Sequence, residues 1–304
     1  MKYLIILAVY LSGCAAFRPH EEPSTPRIEN VSEEFKEFEV SETIVEKKET
    51  PVIIPKSKKK KDKEVVVKEV VNQIIPPKIF NNIIKPEKNY YKLYAFGIKA
   101  GELIIESSDG KFINNRAVWH LSSHMYTTGV AALSFKLNNK VDSYVDKEHL
   151  YSFRYQLSAV EGPMTKNHLE VYDSQKKKSF SIKKEKKEGE AATSIKMEND
   201  ISPFPQDLLS VFFYLRTLDF TQKNQTLNVT NFDQKVSSDL TVLGSEKVDT
   251  DFGSILCWKL SLHLKLKDKE QTHFVWISQS ADRLLVKMEA NSKIGVVRSI
   301  ISKP

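Results

Sequence analysis

Asp207 and Arg216 bracket the apolar stretch 208–215. An acid and a guanidinium at the two ends of one element could hold a polar headgroup through charge-assisted hydrogen bonds. They also have a purely structural reading, in which Asp207 offsets the dipole at a helix start and Arg216 ties the helix end to a sheet. His120 and His124 are spaced to share one face of a strand, and His263 and His273 could meet across a hairpin, so either pair offers imidazoles to a metal. No Cys, Asp or Glu completes a ligand set at local spacing, so hydrogen-bonded strand histidines are the plainer reading and no metal is assigned. Cys257 lies in the apolar run Ser254-Ile255-Leu256-Cys257-Trp258-Lys259-Leu260 with no base beside it to lower its pKa, which marks a buried thiol. A nucleophile elbow, P-loop, dinucleotide fingerprint and metalloprotease helix are all absent. The reading is therefore non-enzymatic, with no catalytic residue and no cofactor. A hydrolase would have to gather Asp146, His124 and Glu161 into one polar cleft. Phe204, Phe212, Phe213, Tyr214 and Phe220 crowd the same region as Asp207, and either line an elongated apolar cavity or form plain core. Asp207, Phe212, Phe213, Arg216 and Trp276 make up the candidate ligand or partner surface.

One further cysteine has a different chemistry. Met1-Lys2, the apolar run 3–11 and Leu11-Ser12-Gly13-Cys14 form the layout of a secretory signal, too short to span a bilayer. The cysteine directly after Ser12-Gly13 resembles the lipobox of bacterial lipoproteins. That resemblance implies removal of residues 1–13 and lipidation of Cys14, with several acyl chains giving stable anchoring at roughly 0.8 kcal/mol per buried methylene. Ala15-Ala16-Phe17 places no Asp behind the cysteine, which resembles the sorting of outer-membrane lipoproteins facing the periplasm. With Cys14 lipidated, Cys257 has no partner for an intrachain disulfide.

The elements that would position these residues fall into two regions. Residues 14–88 are rich in Glu, Lys and Pro, with apolar residues only in small groups such as Val52-Ile53-Ile54-Pro55 and Ile74-Ile75-Pro76-Pro77. Such a segment buries too little surface to offset its ordering entropy, and it reads as a disordered tether. About seventy flexible residues span roughly 45 to 50 Å r.m.s. and approach about 230 Å when extended. Much of the net charge of +7 comes from lysine clusters at 56–61 and 176–187. Those clusters suit a solvated chain or an anionic surface, and no nucleic acid is expected as a partner of an exported protein.

Residues 89–304 change texture to short alternating runs separated by turn residues, as in an antiparallel sheet. Strands are expected at 91–98, 101–107, 117–126, 135–145, 151–159, 165–172 and 179–184. They resume at 225–232, 235–243, 253–266, 270–278, 284–290 and 295–301. Turns are expected at Asp109-Gly110, Asn114-Asn115, Asn138-Asn139, Lys267-Asp268-Lys269 and Asn291-Ser292. Gly97, Gly101 and Gly253 mark bulges or crowded backbone. Residues 205–216, with apolar positions at helical spacing and a proline at the start, predict one packed helix. The fold class is mainly β: a large curled antiparallel sheet, half-barrel or barrel-like, with one packed helix and a disordered tether before it.

Several of these runs together resemble DUF3108, a family of uncharacterised bacterial envelope proteins. They are Tyr94-Ala95-Phe96-Gly97-Ile98-Lys99-Ala100-Gly101-Glu102, Tyr144-Val145-Asp146 with Leu150, Asp207-Leu208-Leu209-Ser210 to Arg216, and Gly244-Ser245-Glu246. Thr250-Asp251-Phe252-Gly253 and Val275-Trp276-Ile277-Ser278 with Asp282-Arg283-Leu284 complete the set. The resemblance covers residues 90 to the end and implies an exported β-rich domain with no assigned activity. Trp276-Ile277-Ser278 near Asp282 and Arg283 also resembles hairpin endings of envelope carriers that cradle a lipid or lipoprotein tail, an analogy at the level of fold. The expectation is thus an envelope lipoprotein whose β domain binds an apolar or amphipathic ligand, such as a lipid, or an envelope protein partner. The alternatives are an assembly factor without a ligand cavity and an envelope hydrolase. Oligomeric state is open.

Overall fold

The computed structural model describes residues 38–43, 83–231, 234–265, 270–292 and 295–304. Cys14, the expected signal peptide, most of the expected tether and the turn at Lys267-Asp268-Lys269 lie outside them. Strand β1 is the short Val40–Ser41. A first up-and-down series follows: β2 (Glu87–Ala95), β3 (Ile98–Ile113), β4 (Arg116–Thr127), helix α1 (Gly129–Ser134), β5 (Leu137–Asp146), β6 (Ser152–Glu161), β7 (Met164–Asp173), β8 (Lys178–Lys187) and β9 (Thr193–Asp200). Residues 201–223, containing helix α2 (Ser210–Leu215), lead to a second series: β10 (Asn224–Asn231), β11 (Gln234–Thr250), β12 (Gly253–Lys265), β13 (Glu270–Ser278), β14 (Leu285–Ser292) and β15 (Gly295–Ser302).

The strands form one sheet in the order β10-β11-β12-β13-β14-β15-β2-β3-β4-β5-β6-β7-β8-β9, with β1 added to β3. Every pairing between these strands is antiparallel. Two meanders meet at a central seam, where the last strand β15 pairs with β2 and sets Ile301 opposite Tyr91. The sheet is not closed into a barrel, since β9 and β10 stay at its two ends. It is nevertheless curled. The Ser152 amide donates to the Pro205 carbonyl at 2.9 Å, and the neighbouring Gln206 bridges Val229. One short piece of chain therefore touches both β6 and β10, which stand far apart in strand order.

Alternation sorts the side chains onto two faces. The inner face carries Tyr91, Leu103, Leu121, Val141, Leu157, Leu227, Leu240, Leu260, Val275 and Met288, all in one core with α2 residues Val211, Phe213 and Leu215. The outer face of β3 to β8 has a smaller cluster of its own, including Ile113, Val118, Leu169, Val171 and Ile182. The two ends of the curl also differ. Residues 201–223 cross one end, here the lower. The register Gly101 to Thr127, Asn139 to Met125 and Leu137 to Glu161 gathers the β2–β3 turn, α1 and the β6–β7 turn at the other, upper end.

Six expectations need correction. The turns expected at Asp109-Gly110 and Asn138-Asn139 lie inside β3 and β5: the first is a bulge between Ser108 and Lys111, and the second is held in the ladder opposite Val160 and Ala159. The helix predicted over 205–216 is regular only from Ser210 to Leu215, because the Asp207 carboxylate accepts the Leu209 and Ser210 amides at 2.8 Å each and turns the backbone before it. A second short helix, α1, appears where none was expected, and none of its residues is buried. Strand β9 falls in a stretch read as a break, since its largely exposed, charge-rich edge lacks the apolar alternation of a covered strand. Residues 38–43, part of the expected tether, are not free of the domain: Val40 and Ser41 pair with Ile113 and Phe112, and Phe38 is buried.

Candidate functional site

Of the residues proposed as a ligand or partner surface, Asp207, Phe213, Arg216 and Trp276 are at most 3% exposed, so none of the four forms a surface. Asp207 joins three elements. Its carboxylate takes the Leu209 and Ser210 amides and the hydroxyls of Ser143 on β5, at 2.5 Å, and Ser152 on β6, at 2.7 Å. Burial raises its pKa, and the hydrogen bonds from Ser143 and the Ser210 amide oppose the rise. Arg216 forms an ion pair with Glu87 on β2, donates to the Asp282 carbonyl at 2.9 Å and lies 5.6 Å from the centre of the Phe213 ring. Both residues have structural tasks here: Asp207 fastens the turn before α2 to β5 and β6, and Arg216 ties the end of α2 to β2 and to the Asp282 carbonyl. Trp276 lies beneath two lysines, Lys287 at 4.1 Å and Lys259 at 5.1 Å from the ring centre. Phe212 and Tyr214 pack against the main core, while Phe204 meets Tyr151 and Phe220 meets Trp258 in tilted ring contacts. Phe212, Phe213, Tyr214 and Phe220 therefore share the main core, and Phe204 alone packs in the outer cluster.

The inner face holds a group of residues not singled out from sequence. On β6, Glu161 lies opposite Leu137 of β5, and on β7 Lys166, His168 and Glu170 lie opposite Ala159, Leu157 and Tyr155. Lys183 and Glu185 of β8 then face His168 and Lys166. Because Leu137, Tyr155, Leu157 and Ala159 all belong to the main core, their cross-strand partners also point inward. The inner face of β7 and β8 is thus polar, extended by Asn139 and Glu161 at the upper ends of β5 and β6, while β10 through β4 and the rest of β5 and β6 are apolar.

Within the polar wall Lys166 is paired with Glu161, His168 Nε2 stands 3.4 Å from Glu185, and Lys183 Nζ stands 3.5 Å from the same carboxylate. Tyr172 donates to Glu170 at 3.0 Å. Asn139, only 3% exposed, faces the Glu161 carboxylate and helps hold it ionised, yet neither of its amide atoms nor Glu161 Oε1 makes a hydrogen bond of full geometry. Burial pushes the Glu161 carboxyl up to about 6 against the pull of Lys166. Burial also pushes the His168 imidazole down, with Glu185 opposing, which favours its neutral form. An unmet buried polar atom costs roughly 1–3 kcal/mol. Asn139 and Glu161 therefore offer donors and acceptors that a polar ligand atom at the upper end can take up.

The remaining candidates separate cleanly. His120 hydrogen-bonds Asp142 at 2.8 Å and stacks on Tyr144, and His124 bonds Asn138 at 2.8 Å. Among the described residues no three His, Cys, Asp or Glu side chains converge on a metal position. Asp146 lies at the lower end with Arg116 and His149, His124 at the upper end of the outer face, and Glu161 on the inner face. The hydrolase constellation is not assembled. Cys257 is buried, and burial together with Glu246 pushes its thiol up to about 11, so it stays protonated. At the upper end Phe96, Ile98, Val130 and Leu133 expose more than half of their surface. Phe96 does so from a turn with φ of 54°.

Sequence carried weak signs of the polar wall. His168 and Glu170 alternate with Leu169 and Val171, as on a strand whose outer face is polar. Which of the two alternating sets faces inward depends on strand register, which no local pattern states. The model of a family described as "Protein of unknown function (DUF3108)" matches residues 90–302. No curated protein matches the chain. A β-barrel-like protein of domain of unknown function DUF1849 from Brucella abortus aligns at TM-score 0.46 and 11% identity, over 72% of this chain and 96% of that one. A protein from Bacteroides fragilis described as exported, with a YmcC-like fold, aligns at TM-score 0.29 and 9% identity, over 70% and 92%.

Proposed function

The chain belongs to the DUF3108 family, which supplies no activity, and from the geometry of the sheet we propose that it is an envelope lipoprotein whose curled β domain binds an amphipathic ligand. The observation that carries this reading is the two-sided interior. Aliphatic staves from β10 through β4 suit an acyl chain or another apolar body. The wall of Asn139, Glu161, Lys166 and His168 suits a polar head that both donates and accepts hydrogen bonds. Residues 201–223 cross the lower end, so the ligand enters from the upper end, past the exposed Phe96, Ile98, Val130 and Leu133. Anchoring through Cys14, in the outer membrane facing the periplasm, belongs to the same proposal and rests on the signal-like residues 1–14.

Native mass spectrometry of the full mature chain, purified from its own envelope and followed by solvent extraction, tests the binding. The expected result is one co-purifying amphiphile in the wild type and its loss, with the fold retained, in Asn139→Leu. An empty wild-type domain ends the ligand reading and favours the assembly-factor alternative. Anchoring has a separate check, because Cys14→Ser should abolish lipid labelling and release the protein from membranes.

A further inference from the structure

On the outer face, Val118, Leu169 and Val171 are at most 1% exposed although they point away from the main core. Part of their cover comes from Phe38, which is 6% exposed and belongs to the same cluster, with Val40 packed beside it. The backbone supplies the rest of the seat. Strand β2 pairs with β3 only as far as Glu87 opposite Ser107, so the far end of β3 is left with an edge that β2 does not reach. Val40 and Ser41 pair there with Ile113 and Phe112. Arg154 donates to the Phe38 carbonyl at 3.3 Å, and Lys111 meets the Glu42 carboxylate at 2.5 Å. An aromatic side chain seated in an apolar groove, two ladder positions and a basic residue at each end form a strand-addition site for a short acidic peptide.

We propose that this groove is a peptide-acceptor site, filled in cis by residues 38–42 as a releasable clip. Two ladder positions and one aromatic anchor are a small contact compared with the β2–β3 ladder beside it, and the intervening chain must be closed into a loop to make it. The contact therefore opens without disturbing the sheet. For a chain anchored at Cys14, the clip leaves about 24 residues instead of about 70 between anchor and sheet, which lowers the greatest possible reach from about 230 Å to about 80 Å. Release would let the domain work up to about three times as far from its membrane. The site does not depend on the amphipathic ligand, which faces the opposite side of the sheet.

The test uses the full chain and a double variant, Phe38→Ser with Val40→Pro, which alters no residue of the main sheet. A fluorescent peptide of residues 35–43 should bind the double variant at least about tenfold more tightly than the wild type, whose groove is already filled. A Glu-specific protease should cut after Glu42 about tenfold faster in the variant, Glu39 being left out of the comparison because the new proline at 40 blocks cleavage after it. Lys111→Glu, which reverses the charge facing Glu42, should fall between the two. Peptide binding to neither protein, or equal cleavage rates, overturns the proposal. A wild-type dimer that the double variant cannot form overturns the cis assignment and makes a second copy the occupant.

Discussion

Asp207 shows how much a single carboxylate can hold together. It receives two backbone amides and two hydroxyls from three elements, with no cation among its hydrogen-bond donors. Asp207→Ala should cost about 3 kcal/mol or more in chemical denaturation, since it leaves buried donors unmet. Asp207→Asn should cost less than about 1.5 kcal/mol, because the Ser143 and Ser152 hydroxyls can rotate to accept from the new amide. A similar loss in both variants would mean that the negative charge, rather than the hydrogen bonds, is what matters. Glu161 makes stability depend on pH. Its folded pKa of about 6 lies above the ordinary 4.5, so folding takes up a proton. The resulting stability is fully present below 4.5 and is lost as pH rises through about 6. Between pH 4 and pH 7.5 the wild type should lose about 2 kcal/mol relative to Glu161→Gln, read as the difference between their two pH profiles. At this scale the sequence was legible where chemistry is local. Asp207 before a helical stretch and a lone Cys257 in an apolar run both declare their roles. Glu161 and Asn139 do not, because their burial is decided by strands β5 and β6 pairing across the sheet.

At the scale of elements, the strands most readily predicted are those with one covered face, such as β4 and β12, where apolar residues alternate with polar ones. Strand β9 escaped because it is an edge, and α1 because six residues with no buried side chain leave no amphipathic period. The predicted helix was shortened by a turn that Asp207 imposes from its own side chain, a competition that periodicity alone does not register. Gly101 was read as a point of crowded backbone, and it is one: a Cβ there would stand 2.2 Å from the Tyr126 carbonyl oxygen and 3.1 Å from the Thr127 Cα. Gly101→Ala should force β3 and β4 apart at the upper end and cost about 2–4 kcal/mol. Hydrogen exchange should speed up at Gly101 and Thr127 while the amides of β12 and β13 keep their protection. Uniform loss of protection would mean that the sheet opens as one unit.

For the molecule as a whole, composition and turn spacing announced a large antiparallel sheet, and its curl follows from the need to bury one face of so many strands. Strand order was beyond local reading, because the pairing of β15 with β2 joins residues from the two ends of the domain. The segment 38–43 was equally hidden, since its docking depends on an unpaired stretch of β3 rather than on its own Glu-rich composition. The central seam has a consequence for how such a chain is made. Each meander can zip up from its own hairpins as it emerges. The middle of the sheet stays open until residues 295–302 take their place between β14 and β2. Until then the chain carries two unsatisfied inner edges, one on each half. A chain lacking β15 would keep both edges open, the kind of unpaired strand edge that recruits foreign strands and seeds aggregation.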